Sequence, residues 1–135
     1  MNGVRVALDT NAAIRILNSE PAAVRRFRAE AWVALPMPVV GELLFGAANS
    51  GLSVENSTRY EGFVLDAHLL PVDLETARLY AETRLLLKTA GTPIPENDLW
   101  IAAVCLRYDL TLVTSDRHFR ACPGLAVEDW SEASA

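Results

Sequence analysis

Short apolar runs alternate with longer helical patterns along this chain. Such runs, bounded by turn and capping residues, predict short buried strands. They occur at Val4–Leu8, Trp32–Leu35, Leu69–Val72, Thr111–Val113 and Leu125–Val127. Between them, apolar residues recur at three- and four-residue steps, which predicts helices. Strands that alternate with helices favour a parallel sheet covered on both faces, so the predicted fold class is a three-layer α/β/α domain.

The longest helical pattern runs from Leu74 to Ala90, and Gly91 is suited to end it. Thr92–Asn97 contains two prolines and predicts a loop. The other helices are predicted after Asp9, from Pro21, from Pro38 to Asn49, from Ser53 or Asn56 to about Ala67, from Asp98 to about Tyr108, and as a short turn over Arg117–Ala121. No repeat or linker interrupts the pattern, so we expect residues 1–135 to form a single domain.

Composition and charge narrow the function classes. A chain with 51% hydrophobic and 21% charged residues is typical of a globular domain. The net charge of −5 argues against tight nonspecific binding of nucleic acid through overall charge. Eleven of the twelve basic residues are arginine, which suits phosphate contacts. One cluster of arginines forms either part of an RNA-contacting face or an ordinary solvated helix face: Arg25, Arg26 and Arg28. Two others lie close in sequence to Asp116, namely Arg117 and Arg120.

Cysteine usage and the amino terminus bear on location. Cys105 and Cys122 are seventeen positions apart and have no CxxC partner, so neither a zinc site nor a disulfide framework is expected. Charges interrupt the first residues, and the uncharged stretch Ala31–Gly41 is too short to span a bilayer. We therefore predict a cytoplasmic protein with no membrane partner.

Four acidic residues stand out by their surroundings. Asp9 and Asp116 each follow a predicted strand, where open α/β sheets bind their ligands. Glu42 and Asp98 are flanked by apolar residues. If the four carboxylates converge, their repulsion calls for a cation, and oxygen ligands suit Mg²⁺ or Mn²⁺. Taken singly, each acid has another interpretation: a helix cap, a dipole partner, a turn residue or an exposed helix position.

Four motifs in order resemble those of the PIN domain, specifically the VapC toxin branch of bacterial type II toxin–antitoxin pairs. They are LDTN at residues 8–11, GELLFGA at 41–47, PENDLWIAA at 95–103 and VTSDRHF at 113–119. The resemblance extends from about Val4 to Trp130. It implies a catalytic and metal-binding quartet around Mg²⁺ or Mn²⁺, formed by Asp9, Glu42, Asp98 and Asp116. It also implies that Thr10, Asn11 and Ser115 orient those carboxylates.

The same resemblance implies the reaction. The protein is expected to be a metal-dependent endoribonuclease in which water attacks the phosphodiester, leaving phosphate on the downstream fragment. Glu42 or Asp98 helps to take the proton from that water. A transfer RNA or a loop of ribosomal RNA is the expected substrate. His68 and His118 are expected to be structural or solvated rather than catalytic.

The resemblance further implies partners. We expect inhibition by a cognate VapB-like antitoxin, and a toxin homodimer within a larger complex. Four apolar residues, expected to lie near Glu42, predict a groove for an amphipathic antitoxin helix: Trp32, Phe45, Leu52 and Tyr60. The same residues are also compatible with ordinary core positions.

Rival classes lack their signatures. There is no G-x-G-x-x-G or P-loop motif, and Asn11 occupies the place where a haloacid-dehalogenase-type phosphatase needs its second aspartate. The only lysine, Lys88, lies within a helical pattern, which argues against a receiver domain. The alternative from another class is a catalytically silent PIN scaffold that binds RNA or protein. An intact acidic quartet argues against that alternative.

Overall fold

A computed structural model describes residues 5–131, and its centre is a five-stranded sheet. The strands are β1 (Val6–Leu8), β2 (Val33–Pro36), β3 (His68–Leu70), β4 (Thr111–Val113) and β5 (Val127–Glu128). Their order is β3-β2-β1-β4-β5, and every neighbouring pair is parallel. With helices on both faces, this arrangement confirms the predicted three-layer α/β/α architecture.

Within residues 5–131, six helices and one 3₁₀ turn connect the strands. They are α1 (Thr10–Leu17), α2 (Pro21–Ala29), α3 (Met37–Ala48), α4 (Ser53–Leu65), α5 (Leu74–Ala90), α6 (Glu96–Arg107) and the 3₁₀ turn Arg117–Ala121. The predicted bounds of α5 are confirmed, and Gly91 ends it in the left-handed conformation at φ 75°. Glycine adopts this conformation without the steric cost of a Cβ atom.

Several predicted boundaries are wrong by one to three residues. The predicted third strand, Leu69–Val72, ends at Leu70 because Pro71 has no N–H to continue the ladder. Helix α6 begins two residues before Asp98, because Pro95 takes an extended conformation and starts the helix directly. The last strand begins at Val127, where pairing with β4 starts, rather than at Leu125. The predicted start of the first strand at Val4 lies outside the described residues.

The sheet has a switch point at its middle strand. From β1 the chain continues to β2 on one side, whereas β4 lies on the other side of β1. Leu8 at the end of β1 pairs with Val113 at the end of β4. Both strands are almost completely buried. Residues that follow β1 and β4 therefore emerge side by side at the carboxyl edge, where α/β sheets bind ligands.

The described residues also bear on location and redox chemistry. None of the helices in residues 5–131 combines the length and apolarity needed to cross a membrane. Cys105 and Cys122 are both buried and unpaired within that range. Burial raises the pKa of the Cys122 thiol to about 11, so this side chain is an unreactive thiol at neutral pH.

Candidate active site

Asp9 is the buried end of the site. It follows β1 directly and caps α1, its side chain being only 3% exposed. One carboxylate oxygen, Oδ1, accepts the backbone N–H of Ala12 at 2.8 Å, and the other, Oδ2, accepts the hydroxyl of Thr114 at 2.5 Å. Thr114 directly follows β4, so a hydrogen bond across the switch point holds Asp9 in place.

Within residues 5–131, two aspartates and a histidine form a group whose spacing could hold a metal ion: Asp98, Asp116 and His118. They come from the first turn of α6, the loop after β4 and the 3₁₀ turn, and one ligand atom of each lies within 4.8 Å of the others. The imidazole Nε2 of His118 is 2.6 Å from Oδ2 of Asp98. The backbone N–H of Asp116 donates to the Thr114 hydroxyl at 3.0 Å. Thr114 therefore ties Asp116 to Asp9 through one oxygen atom.

Glu42 completes the quartet from α3. It is exposed and lies outside the 4.8 Å group, but its Oε1 accepts the hydroxyl of Thr10 at 2.6 Å. Thr10 is the residue after Asp9, so this bond joins the first turn of α1 to α3. Thr10 therefore contacts a quartet member, and its orienting role stays a prediction.

The electrostatics of the carboxylates show that they act on one another. Burial raises the pKa of Asp9, and the charges of Asp116 and Asp98 add to the rise. Burial also raises the pKa of Asp98, as do the charges of Asp116 and Glu42, although the contact with His118 opposes the rise. Neighbouring negative charge therefore disfavours the ionisation of both Asp9 and Asp98. A divalent cation would reverse this cost, and carboxylate oxygens are the ligands that Mg²⁺ and Mn²⁺ accept, so the donor set fits such an ion.

Two predicted orienting residues differ in their surroundings from Thr10. The hydroxyl of Ser115 donates to Asp129 at 2.9 Å instead of contacting the quartet. The side chains of successive residues leave an extended segment on opposite sides, so Thr114 rather than Ser115 faces Asp9. Asn11 is exposed on α1, and its role stays a prediction.

Sequence reasoning missed Thr114 and the contact that His118 makes. The imidazole of His118 is 36% exposed and contacts a quartet member, so the expectation that this residue is structural or solvated rather than catalytic stays a prediction. The neighbouring Phe119 is fully buried and anchors the 3₁₀ turn against the core, which turns His118 towards the site. The sequence offered one indication of their position: Thr114 and His118 both lie within VTSDRHF, the motif that also contains Asp116.

The family profile of the PIN domain matches residues 6–125, which include the quartet and both missed residues. The chain belongs to the PIN-domain family. It lies in the VapC ribonuclease branch, as the sequence motifs indicated. It is 32% identical over 131 residues to the tRNA(fMet)-specific endonuclease VapC of Shigella flexneri, covering 95% of this chain and 99% of the relative. Identity to the corresponding protein of Salmonella typhimurium is 30% over 130 residues, covering 94% and 98%.

Solved structures of toxin–antitoxin complexes share this PIN fold. VapBC2 from Rickettsia felis, bound to a promoter DNA fragment, matches with a TM-score of 0.89 at 26% identity, covering 95% of this chain and 100% of the other. DNA-bound VapBC from Salmonella typhimurium also matches with a TM-score of 0.89, at 29% identity, covering 96% and 100%. Both neighbours were solved as VapBC complexes bound to DNA.

Of the four residues predicted to form a partner groove, the structure exposes two, and the groove itself stays a prediction. Phe45 and Leu52 are 68% and 63% exposed, and Phe45 follows Glu42 by three residues on α3, which places both on one helix face. Tyr60 is half-buried against the core. The prediction that Trp32 lies near Glu42 is wrong. Trp32 precedes β2 and therefore lies at the amino edge of the sheet, whereas Glu42 lies on the helix that follows β2. At the amino edge, the ring of Trp32 stacks on His68 at a centroid distance of 4.6 Å.

The arginines are divided between structure and surface. Arg26 pairs with Glu128, and its guanidinium lies 5.6 Å from the ring centre of Trp130. Arg26 is thus engaged in fastening α2 to the carboxyl-terminal segment. Arg25 and Arg28 are exposed on α2, and Arg117 and Arg120 are exposed on the 3₁₀ turn beside the quartet. The last two are the better placed of these residues for phosphate contacts.

Proposed function

We propose that this PIN domain is the Mg²⁺- or Mn²⁺-dependent endoribonuclease toxin of a toxin–antitoxin pair. The observation that carries the proposal is the cluster of acids at the switch point of the sheet. Asp98 and Asp116 lie in one closely spaced group, their charges act on Asp9, and the charge of Glu42 acts on Asp98. Ionised acids that interact in this way cost stability unless a cation is bound among them. We also propose that residues 1–135 form one cytoplasmic domain.

The reaction follows from what each side chain can do. Asp9, Asp98 and Asp116 would hold the cation, which supplies Lewis-acid activation of water and phosphate when bound. Thr114 orients Asp9 and fixes the loop that carries Asp116. Glu42 is exposed and outside the closely spaced group, so its second oxygen, Oε2, is available to accept the proton of the attacking water.

A transfer RNA is the substrate we propose. Two relatives that cover nearly the whole chain at 30% identity or more are named as tRNA(fMet)-specific. The exposed Arg117 and Arg120 lie beside the quartet and offer bidentate contacts to RNA phosphates. Structured loops are the parts of RNA that proteins read by shape and by single-stranded bases, and a tRNA presents several of them.

The test is cleavage of purified initiator tRNA, other tRNAs and ribosomal RNA by the full chain. We expect tRNA fragments whose downstream piece carries a 5′ phosphate, in Mg²⁺ or Mn²⁺ but not in excess EDTA. The matched control is Asp98→Asn, which should bind RNA without cutting it. Cleavage that persists in EDTA contradicts the mechanism. RNA binding without cleavage by the wild type favours the silent-scaffold alternative, and cleavage of ribosomal RNA alone changes the substrate class.

We further propose that an antitoxin helix covers the exposed apolar residues Phe45 and Leu52. An arginine in its tail would pair with the quartet carboxylates and compete with the cation. Co-expression with the neighbouring antitoxin should give a stable complex, containing a toxin dimer, with suppressed cleavage. Phe45→Ser should weaken that complex, whereas Leu65→Ser, at a 73% exposed position at the end of α4, should not. Failure of the two proteins to copurify contradicts this mode of control.

A further inference from the structure

We propose that His118 is a nitrogen ligand of the quartet's metal site, and that it biases this site towards first-row transition ions such as Mn²⁺ over Mg²⁺. The proposal rests on the metal-dependent function proposed above. It adds one residue of a different chemical type to a set of carboxylates, and it concerns which ion the protein selects.

The first argument is position. A ring nitrogen of His118 and one oxygen each of Asp98 and Asp116 lie within 4.8 Å of one another, so one cation can contact all three. The imidazole Nε2 of His118 already lies beside one of the carboxylates, at a hydrogen-bond distance of 2.6 Å from Oδ2 of Asp98. Its side chain is 36% exposed, which leaves the imidazole accessible to an ion from solution.

The second argument is how firmly the imidazole is held. Phe119, the next residue, is fully buried, and its ring centre lies 4.9 Å from that of His118. Asp116, two residues earlier, is tied through its backbone to Thr114. The 3₁₀ turn is therefore anchored on both sides of His118. Little further ordering is needed for the imidazole to reach the carboxylates, which lowers the entropic cost of using it as a ligand.

The third argument is donor chemistry. Mg²⁺ is a hard ion that takes oxygen ligands and keeps several waters, whereas an imidazole nitrogen is a donor suited to transition metals. Carboxylates alone would serve either ion. A nitrogen donor among them therefore lowers the free energy of the transition-metal complex more than that of the Mg²⁺ complex.

A simpler role is that His118 only orients Asp98 through a hydrogen bond. The two roles predict different results for His118→Asn, which keeps hydrogen-bonding capacity but removes the imidazole. A positioning histidine would leave the ion preference of this variant unchanged. A ligand histidine would lose it in both His118→Asn and His118→Ala.

The experiment uses the untagged full chain, with Mn²⁺ and Mg²⁺ as the probes. Pulsed electron paramagnetic resonance of bound Mn²⁺ detects directly coordinated nitrogen, and labelling histidine with ¹⁵N identifies it as imidazole. The chain has two histidines, so His68→Ala is the matched control. His68 is exposed at the amino end of β3, away from the quartet. Circular dichroism checks that each variant is folded.

We expect histidine nitrogen coupling in the wild type and in His68→Ala, and its loss in both His118 variants. Mn²⁺ affinity should fall about tenfold or more in those variants, a loss no smaller than that seen when a ligand's supporting partner is removed. Mg²⁺ affinity should change much less. Mn²⁺ bound without nitrogen coupling, or an unchanged Mn²⁺-to-Mg²⁺ ratio in His118→Asn, overturns the proposal while leaving the carboxylate site intact. Absence of any Mn²⁺ or Mg²⁺ binding by the wild type overturns both.

Discussion

Asp9 and Asp73 have the same local role in two different parts of the molecule. Each follows a strand or turn, caps the helix after it and accepts the backbone N–H three residues on, at 2.8 Å for Asp9 and 2.9 Å for Asp73. Each also accepts a threonine hydroxyl, from Thr114 and from Thr76 respectively. In both cases the capping geometry is what an aspartate before a helix predicts.

Their charge environments are opposite. Arg107 donates to Asp73 at 3.1 Å, and this bond, with the capping bonds, holds the pKa of Asp73 well below its usual range. Asp9 is buried, and its neighbours Asp98 and Asp116 are acids, so its pKa is raised. The charge of Asp73 is balanced by the protein's own Arg107. Asp9 lies among other acids, and this excess of negative charge is the condition for binding a cation.

The largest difference should appear in activity. Asp9→Asn and Asp98→Asn should each lower the rate of RNA cleavage by at least about 100-fold, because removing even a ligand's supporting partner costs about 10–100-fold. Asp73→Asn, the matched control, should cleave like the wild type. Cleavage rates measured with saturating Mn²⁺ check this. Near-wild-type cleavage by Asp9→Asn would reduce Asp9 to a helix cap like Asp73.

The threonine partners extend the comparison. Thr114→Val should lower cleavage roughly 10–100-fold, because the hydroxyl orients Asp9 and accepts the Asp116 N–H. Thr76→Val should leave cleavage intact and lower the free energy of unfolding by about 0.5–1.5 kcal/mol, the usual worth of one hydrogen bond. Kinetics and urea unfolding of both variants measure the two effects. Equal activity of the two variants would show that Thr114 is only structural.

The pH dependence of stability without metal should separate the two aspartates by sign. The raised pKa of Asp9 means that its ionisation costs stability as pH rises through that value, so Asp9→Asn should melt a few degrees higher than the wild type at pH 7. The lowered pKa of Asp73 means the reverse, so Asp73→Asn should melt lower.

The differences in melting temperature between the wild type and each of the two variants, Asp9→Asn and Asp73→Asn, should shrink in acid. Below the unfolded-state pKa of about 3.9, an aspartate is protonated in the unfolded chain, so Asp9 no longer costs stability. The contribution of Asp73 is lost only as pH falls towards its lower folded-state pKa. Thermal melts in EDTA from about pH 7 to about pH 2 measure this convergence, which should come at a higher pH for Asp9 than for Asp73. A lower melting temperature for Asp9→Asn at pH 7 would contradict the charge argument.

The smallest effect is expected at Ser115. Its hydroxyl donates to Asp129 and not to the quartet, so Ser115→Ala should cleave RNA nearly as fast as the wild type. Thr114→Val is its neighbouring comparison. A loss of activity in Ser115→Ala similar to that of Thr114→Val would restore the orienting role that the family resemblance implied for Ser115.

The sequence by itself determined the fold class and most elements, and it predicted the quartet. Apolar runs and helical periodicity predicted the α/β architecture, because a strand of a covered parallel sheet is buried on both faces, whereas burial along a helix recurs about every 3.6 residues. Local chemistry was equally informative where it acts within a few residues: Asp9 caps α1, and Gly91 ends α5. The four acids were found because their motifs carry the family resemblance.

Only the tertiary structure decided which side chains meet. Thr114 is 105 residues from Asp9, and the parallel pairing of β1 with β4 brings them into contact. His118 reaches Asp98 because the burial of Phe119 turns the 3₁₀ turn inwards. Trp32 lies at the far edge of the sheet because it precedes β2, whereas Glu42 lies on the helix that follows β2. The two ends of a strand lie at opposite edges of a parallel sheet. Contacts of this kind depend on strand order and register, which periodicity along the chain does not encode.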